Sequence, residues 1–96
     1  MTSYIVSPRA QRDLEGFWDY TAERWNLAQA EIYLRGIWSA IQIIAADPRI
    51  GRSADEVRPG YRRYQVGSHV IFYKMTEGVF DVVRVLHSHV DFDSHL

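Results

Sequence analysis

Histidine and arginine are the residues of this chain that could act on a phosphate group. A metal-free nuclease needs a general base, a general acid and cations that hold the phosphate. The histidines could transfer protons and three arginines could bind phosphate: His69, His87, His89 and His95, with Arg62, Arg63 and Arg84. Their spacing selects no acid–base pair, because each histidine also suits an ordinary surface position. Ribonuclease chemistry is therefore one open alternative.

The end of the chain carries the residue types of a metal site. His87, His89, Asp91 and Asp93 occupy alternate positions, and alternate side chains of a strand share one face, where they could bind zinc. The run is similar to the HxHxD part of the metallo-β-lactamase motif, but Phe92 stands where that motif needs another histidine. We expect polar residues on a last strand and its exit, with no metal and no cofactor.

Length and composition define the protein that must position these side chains. The 96 residues are 47% hydrophobic and 24% charged, which predicts one globular domain over residues 1–96 and excludes an intrinsically disordered chain. Cysteine is absent from the sequence, so disulfides and thiolate sites are excluded. No apolar run reaches the ~18 residues of a membrane helix. We expect neither a membrane span nor a secretory signal, and a cytoplasmic location.

The basic residues are almost all arginine and are unevenly distributed. Ten of the 11 are arginine, and five of these lie between positions 49 and 63, against the acids Asp55 and Glu56. Arginine makes planar, bidentate contacts and is weakly hydrated, so this stretch suits a protein interface. Ion pairing with the two nearby acids is the alternative.

The first half of the chain predicts a short strand and a helical hairpin. Residues 4–6 are β-branched and aromatic, and Ser7 with Pro8 marks the start of a helix over residues 8–24. Apolar residues recur there every three or four positions, which places Asp13 among the charged residues of the other faces. Asn26 ends this helix and caps a second one, which stops at Asp47-Pro48.

Two features of this hairpin concern its packing. Gly16 and Gly36 each cost about 1 kcal/mol relative to alanine within a helix, and close approach of the two helices could offset that cost. Three tryptophans lie at helical spacing, so we expect Trp18, Trp25 and Trp38 to be core residues.

The second half predicts an antiparallel meander. Residues 49–60 suggest a surface loop, followed by strands over residues 61–66, 69–75 and 79–86 with tight turns between them. Residues 70–73 are apolar without alternation, as in a central strand that is covered on both faces, or on one face and by an interface on the other. The predicted fold class is therefore α+β, a two-layer βααβββ arrangement with the N-terminal helical hairpin on an antiparallel sheet. The tail over residues 87–96 suits a strand extension or a helical turn.

The aromatic residues point to binding more than to catalysis. Four tyrosines accompany the arginines with the composition of a protein–protein interface: Tyr33, Tyr61, Tyr64 and Tyr73. A three-strand meander also has an open edge unless the first strand or a partner covers it.

An ordered set of short motifs resembles the ParE toxins of bacterial type II toxin–antitoxin systems, within the RelE/ParE superfamily. The resemblance extends over nearly the whole chain and no single piece of it is diagnostic. The matching pieces are Leu14-Glu15, Phe17-Trp18-Asp19-Tyr20, Arg24-Trp25, Ala30-Glu31, Tyr33-Leu34, Pro48-Arg49-Ile50-Gly51-Arg52, Glu56-Val57-Arg58-Pro59-Gly60-Tyr61-Arg62, Gly67-Ser68-His69-Val70-Ile71-Phe72-Tyr73, Val82-Val83-Arg84-Val85-Leu86-His87 and His95-Leu96.

This resemblance implies a cytoplasmic, non-enzymatic toxin that poisons DNA gyrase. It also implies a ParD antitoxin whose flexible C-terminal region wraps over the helices and the sheet. The RelE branch instead cuts messenger RNA with basic strand residues and a C-terminal Arg/Tyr pair. Residues 90–96 contain neither arginine nor tyrosine, which argues against the ribonuclease. His89 stands near a position where ParE relatives are expected to carry arginine, so an interaction domain without toxicity is a third hypothesis.

Two sets of candidate contact residues follow from these considerations. The arginine-rich stretch and its adjacent aromatic residue are predicted to bind an acidic antitoxin tail: Arg58, Arg62, Arg63 and Tyr64. The C-terminal histidines are predicted to meet the target: His87, His89 and His95.

Overall fold

Side-chain caps begin both long helices at the predicted residues. The computed structural model describes residues 4–96, the side chain of Asp93 excepted. Ser7 accepts a hydrogen bond from the amide of Ala10, and Asn26 accepts one from the amide of Gln29 at 2.8 Å. The elements are β1 (Tyr4–Val6), α1 (Pro8–Arg24), α2 (Leu27–Ala46), a 3₁₀ turn (Pro48–Ile50), β2 (Arg52–Ser53), β3 (Arg62–Val66), β4 (His69–Thr76), β5 (Val79–His87) and α3 (Phe92–His95).

The strands form one five-stranded sheet in the order β1-β5-β4-β3-β2. The meander β3-β4-β5 is antiparallel as predicted, and α1 and α2 pack on one face of the sheet. Two points differ from the prediction. β1 runs parallel to β5, so the whole sheet is mixed, and the segment expected to be a surface loop contains a 3₁₀ turn and the edge strand β2.

The central strand β4 is covered on both faces, as its apolar run predicts. Ile71 and Tyr73 face the helices and belong to the main core. Val70 and Phe72 face the opposite way, into a smaller cluster that α3 and the C-terminal residues cover. Tyr73 is fully buried, so it is not the interface residue that its residue type suggested.

The chain before β2 is held against the sheet by two side chains. The Tyr73 hydroxyl donates to the carbonyl of Pro48 at 2.6 Å, and the Arg62 guanidinium donates to the carbonyl of Gly51 at 2.7 Å. A Cβ atom on Gly51 would overlap the phenol ring of Tyr73. Glycine at this position therefore allows the tyrosine to lie against the backbone.

Two expectations about the helical hairpin are wrong. Trp25 is 74% exposed, because it follows the last residue of α1 at the tip of the hairpin. A Cβ atom on Gly16 or Gly36 would meet no other atom within 4 Å. Neither glycine therefore serves helix–helix packing.

A membrane-spanning helix is not found among residues 4–96, because none of their helices combines the necessary length with sufficient apolar character.

Asp13 connects α1 to β5 and does not lie on a solvent face. Its carboxylate accepts two hydrogen bonds from Arg84, at 2.8 and 2.9 Å, and a third from the backbone amide of Val85 at 3.0 Å. The side chains of Arg84 and Asp13 are only 11% and 13% exposed. The hydrogen bond to Asp13 raises the pKa of Arg84. Arg84 thus serves the fold and is not available for phosphate.

We predict that Asp13→Asn lowers the free energy of unfolding by about 3 kcal/mol, because it leaves a nearly buried guanidinium without its counter-charge. Denaturant titration followed by circular dichroism measures this change. The matched control is Asp19→Asn, on the exposed side of the same helix, which should stay within about 0.5 kcal/mol of the original chain. Equal effects of the two substitutions would contradict the role assigned to Asp13.

Candidate functional site

An open groove of about 830 Å³ lies between α1, the first turns of α2 and the adjoining ends of β4 and β5. Its lining is mostly aromatic and apolar, and two histidines lie at the sheet end. The principal lining residues are Gly16, Phe17, Tyr20, Trp25, Tyr33, His69 and His87. Tyr20 and Trp25 are 58% and 74% exposed, so two large aromatic side chains of the groove present apolar surface to solvent.

His69 is the only histidine or charged residue among the buried residues of positions 4–96, with 9% of its surface exposed. Its Nδ1 contacts the hydroxyl of Tyr33, and its ring packs against Phe17 with centroids 3.9 Å apart. Burial chiefly, and with it the positive charge of a protonated His87, lowers the pKa of His69 to about 4, while Asp13 opposes the shift. At neutral pH His69 is therefore uncharged, and its Nδ1 shares a hydrogen bond with the Tyr33 hydroxyl.

Tyr33 completes this pair from α2. Burial raises its pKa, and the nearby backbone amide of Ser68 opposes that shift. The Tyr33–His69 contact joins α2 to the start of β4 at the sheet end of the groove.

The structure brings three of the four histidines together. His69 and His87 are cross-strand partners with ring centroids 5.3 Å apart, and the rings of His87 and His89 are 5.0 Å apart. The His89 amide also donates to Nδ1 of His87 at 3.2 Å. His95 lies on α3, where its backbone carbonyl accepts from Arg9 at 2.9 Å and from Arg84.

The alternating face that a metal site at the C-terminal histidines and aspartates would need does not form. β5 ends at His87, the chain turns over residues 88–90, and α3 begins at Phe92. Asp91 accepts from the hydroxyl of Ser94 at 2.8 Å. Among the side chains that the structure describes, no three His, Cys, Asp or Glu residues lie close enough to hold a metal ion.

The arginine-rich candidate set divides between the two faces of the sheet. Arg62 and Tyr64 lie on the helix side, opposite Tyr73 and Ile71, and Tyr64 packs against the main core. Arg63 lies on the other face, 3.6 Å from the carboxylate of Glu56. This pair confirms part of the alternative reading, in which the arginines pair with nearby acids.

Arg58 and Asp55 belong to the turn before β3. Arg58 is half-buried and donates to the carbonyl of Val57 at 2.7 Å. Asp55 accepts from the amide of Gly60 at 2.7 Å, and this bond, with smaller contributions from Ser53 and Arg62, lowers its pKa. These contacts hold the turn, so only part of the arginine-rich stretch is available to a partner.

A family model described as the ParE toxin of the type II toxin–antitoxin system parDE matches residues 4–92. The chain belongs to the ParE toxin family. Toxin ParE1 of Mycobacterium tuberculosis is 55% identical over 94 residues, which cover 97% of this chain and 96% of the relative. Toxin ParE1 of Caulobacter vibrioides is 40% identical over 96 residues, covering 100% and 99%. The resemblance inferred from short motifs is thereby confirmed.

The fold of this ParE toxin is also found in a solved structure. A chain of the chromosomal ParDE toxin–antitoxin system from P. aeruginosa superposes with a TM-score of 0.80 over 91% of this chain and 96% of the other. The two sequences are 15% identical, so this likeness concerns the fold alone. It confirms the α+β architecture, with two helices packed on the sheet.

Sequence analysis named Gly16, Tyr33 and His69 separately, but it did not identify the groove that joins them. Its residues come from positions 12–33 and 68–87, which only the fold brings together. Two signals were present in the sequence. Glycine at position 16 destabilises a helix relative to alanine, and nothing in the sequence compensates for this. Arg84 lies in an apolar strand, where a buried charge requires a carboxylate partner.

We predict that the His69 imidazole titrates with a midpoint near pH 4 in NMR spectra. Because its folded-state pKa lies below the unfolded value of about 6.5, the unfolded chain binds more protons between these values. Stability should therefore fall as the pH decreases from about 6.5 to 4. Melting temperatures measured across this range should fall less for His69→Gln, whereas His89→Gln, in the exposed turn, should follow the original chain. A midpoint near 6.5 for His69 would contradict the buried, neutral state.

Proposed function

We propose that this ParE toxin inhibits DNA gyrase in the cytoplasm, without catalysis of its own, and that a ParD-type antitoxin neutralises it. The observation that carries the proposal is the 55% identity to Toxin ParE1 across nearly the full length of both chains. The site chemistry supports a binding mechanism. His69 is neutral and already hydrogen-bonded to Tyr33, and the Arg84 guanidinium is held by Asp13.

We propose the first contact surface, the basic edge, as a docking site for the antitoxin. Of the candidates Arg58, Arg62, Arg63 and Tyr64, Arg63 is its centre, because Arg62 and Tyr64 lie on the other face of the sheet and Arg58 helps to hold the preceding turn. Arg52 is the second cation of this edge. Arg52 lies directly opposite Arg63 in the β2–β3 ladder, and like charges at such positions repel. Glu56 offers Arg63 only a long, exposed ion pair. An acidic segment of the antitoxin would neutralise both guanidinium groups and so bind there.

We propose the second contact surface, the histidine end, for the target. It contains His87, His89 and His95 near the end of β5 and on α3. The imidazole rings of His87 and His89 lie against each other, with centroids 5.0 Å apart. The backbone carbonyl of His95 accepts hydrogen bonds from Arg9 and Arg84. This anchoring supports a preformed surface, which binds at lower entropic cost than a mobile tail.

We predict that the purified toxin inhibits supercoiling by gyrase from its own organism and traps cleaved DNA. An equimolar amount of the antitoxin should restore supercoiling. Gel assays with plasmid DNA measure both effects, and heat-denatured toxin is the control. Unchanged supercoiling together with normal colony growth during expression without antitoxin would favour an interaction domain that has lost toxicity.

We predict that Arg63→Ala slows association with the antitoxin severalfold and weakens the salt dependence of the rate, because charges at an interface rim steer encounter. Stopped-flow or surface plasmon resonance at several salt concentrations measures this. Arg35→Ala is the matched control, because Arg35 is exposed on α2 and already pairs with Glu31. Equal association rates for the two variants would show that the basic edge is not part of the antitoxin interface.

A RelE-like ribonuclease is the second candidate, and one observation favours it. His69 and His87 lie side by side in a groove that Arg12 also lines. If the protein is a ribonuclease, it should cleave transcripts in a translating extract. His87→Ala, Arg62→Ala or Arg63→Ala should then abolish this cleavage. Cleavage by the original chain, without inhibition of gyrase, would replace the gyrase proposal.

A further inference from the structure

The side of α2 that points away from the sheet carries large apolar side chains in solvent. Ile32 and Ile43 are 63% and 54% exposed. Both belong to one row along the helix, because steps of three and four residues return to the same face. This row lies opposite the buried residues Ile37, Ile41 and Ile44. The row, the outer stripe of α2, consists of the exposed residues Ala28, Ile32, Gly36, Ser39, Ile43 and Ala46.

The outer stripe carries no charge. The charged residues beside it, Glu31 and Arg35, form an ion pair with each other within α2. An uncharged apolar surface offers no electrostatic attraction to an acidic antitoxin segment or to nucleic acid. The partner that fits it is another uncharged apolar surface.

The outer stripe is complementary to itself. The point midway between positions 37 and 38 is equally distant from Ile32 and Ile43, and also from Gly36 and Ser39. If two copies of α2 pack antiparallel about a twofold axis at this point, each Ile32 meets Ile43 of the other copy. Gly36 then meets Ser39 at the centre, where small residues let the helices approach closely. A twofold interface requires such a match, because the same patch of both subunits meets itself.

This register also keeps like charges apart. In an antiparallel pair about a twofold axis, each flank of one helix meets the same flank of the other. Arg35 of one copy then lies about 3 Å along the axis from Gln42 of the other, given the rise of ~1.5 Å per residue. The amide oxygen of Gln42 can accept a hydrogen bond from the guanidinium. The contact therefore opposes a charge with a neutral acceptor.

The size of the outer stripe determines how strong this contact is. Residues 28–46 span about 27 Å, and a helix is about 10 Å wide. The covered area is therefore about 300 Å² per copy, well below the ~800 Å² per partner of a stable complex. We propose that two toxin molecules associate weakly and reversibly through the outer stripes of antiparallel α2 helices. None of the stripe residues lines the groove, so both grooves of the dimer stay open, and the inference does not depend on the gyrase proposal.

The test uses opposite charges at the two ends of the outer stripe. Ile32→Glu and Ile43→Lys should each weaken self-association at least about tenfold, because a charge without a partner loses water at the contact. An equimolar mixture of the two variants should recover a dimer within about tenfold of the original affinity. One carboxylate then meets one ammonium group, while the other pair of isoleucines is unchanged. Sedimentation velocity from about 10 μM to 1 mM covers the weak affinities of a small interface.

Two further variants locate the contact. Gly36→Leu should weaken the dimer at least about tenfold, because its side chain separates the helices at their closest point. Leu27→Glu is the matched control, since Leu27 is 65% exposed on the same helix but lies outside the outer stripe. It should associate within about twofold of the original chain. All variants should keep the circular dichroism spectrum of the original chain, since the substituted residues are exposed.

Three results would overturn the proposal. The first is a toxin that remains monomeric at about 1 mM, above the range of weak interfaces. The second is a dimer that Ile32→Glu and Ile43→Lys leave unchanged, or that their mixture does not recover, because the antiparallel register then fails. The third is a loss of antitoxin affinity in Ile32→Glu, measured by calorimetry, since the outer stripe would then belong to the antitoxin. Unchanged antitoxin affinity together with the recovered mixed dimer would support the proposal.

Discussion

The buried contact between Asp13 and β5 is the interaction on which the rest of this structure depends. β1 is three residues long and pairs with only the first part of β5. Beyond that point Ser7 and Asp13 take over the hydrogen bonds that a longer strand would supply. One carboxylate thus completes the sheet edge, neutralises Arg84 and sets α1 against the sheet. Since α1 forms one wall of the groove, the same contact also determines the shape of the binding site.

The distribution of charge follows from this arrangement and distinguishes the two candidate surfaces. On the helix side, the Asp13–Arg84 pair and the neutral Tyr33–His69 pair leave a groove dominated by aromatic rings. On the opposite face, Arg52 and Arg63 lie side by side, and one carboxylate, that of Glu56, lies 3.6 Å from Arg63. A partner that uses both surfaces would present apolar residues to one and carboxylates to the other.

Much of the fold follows from local patterns. Ser7-Pro8, Asn26 and Asp47-Pro48 mark the helix ends because caps and prolines act through neighbouring backbone groups. The two-residue turns that connect the meander contain glycines with positive φ, Gly67 and Gly78, which hairpin geometry requires. β2 could not be recognised, because two residues carry no periodic pattern. The exposure of Trp25 was missed because apolar spacing does not show where a helix projects beyond its neighbour.

By itself, the sequence determined the order and type of the main elements, the central position of β4 and membership of the ParE family, because these depend on short-range patterns and on ordered motifs. Only the tertiary structure decided which charges remain available to a partner. Asp13 and Arg84 are 71 positions apart, and Tyr33 and His69 are 36 apart, so nothing local joins them. Strand alternation also places Arg62 and Arg63 on opposite faces, although they are neighbours in the chain. The candidate binding surfaces depend on residues that are distant in the sequence and close in the fold. Local sequence patterns do not show which of these residues meet.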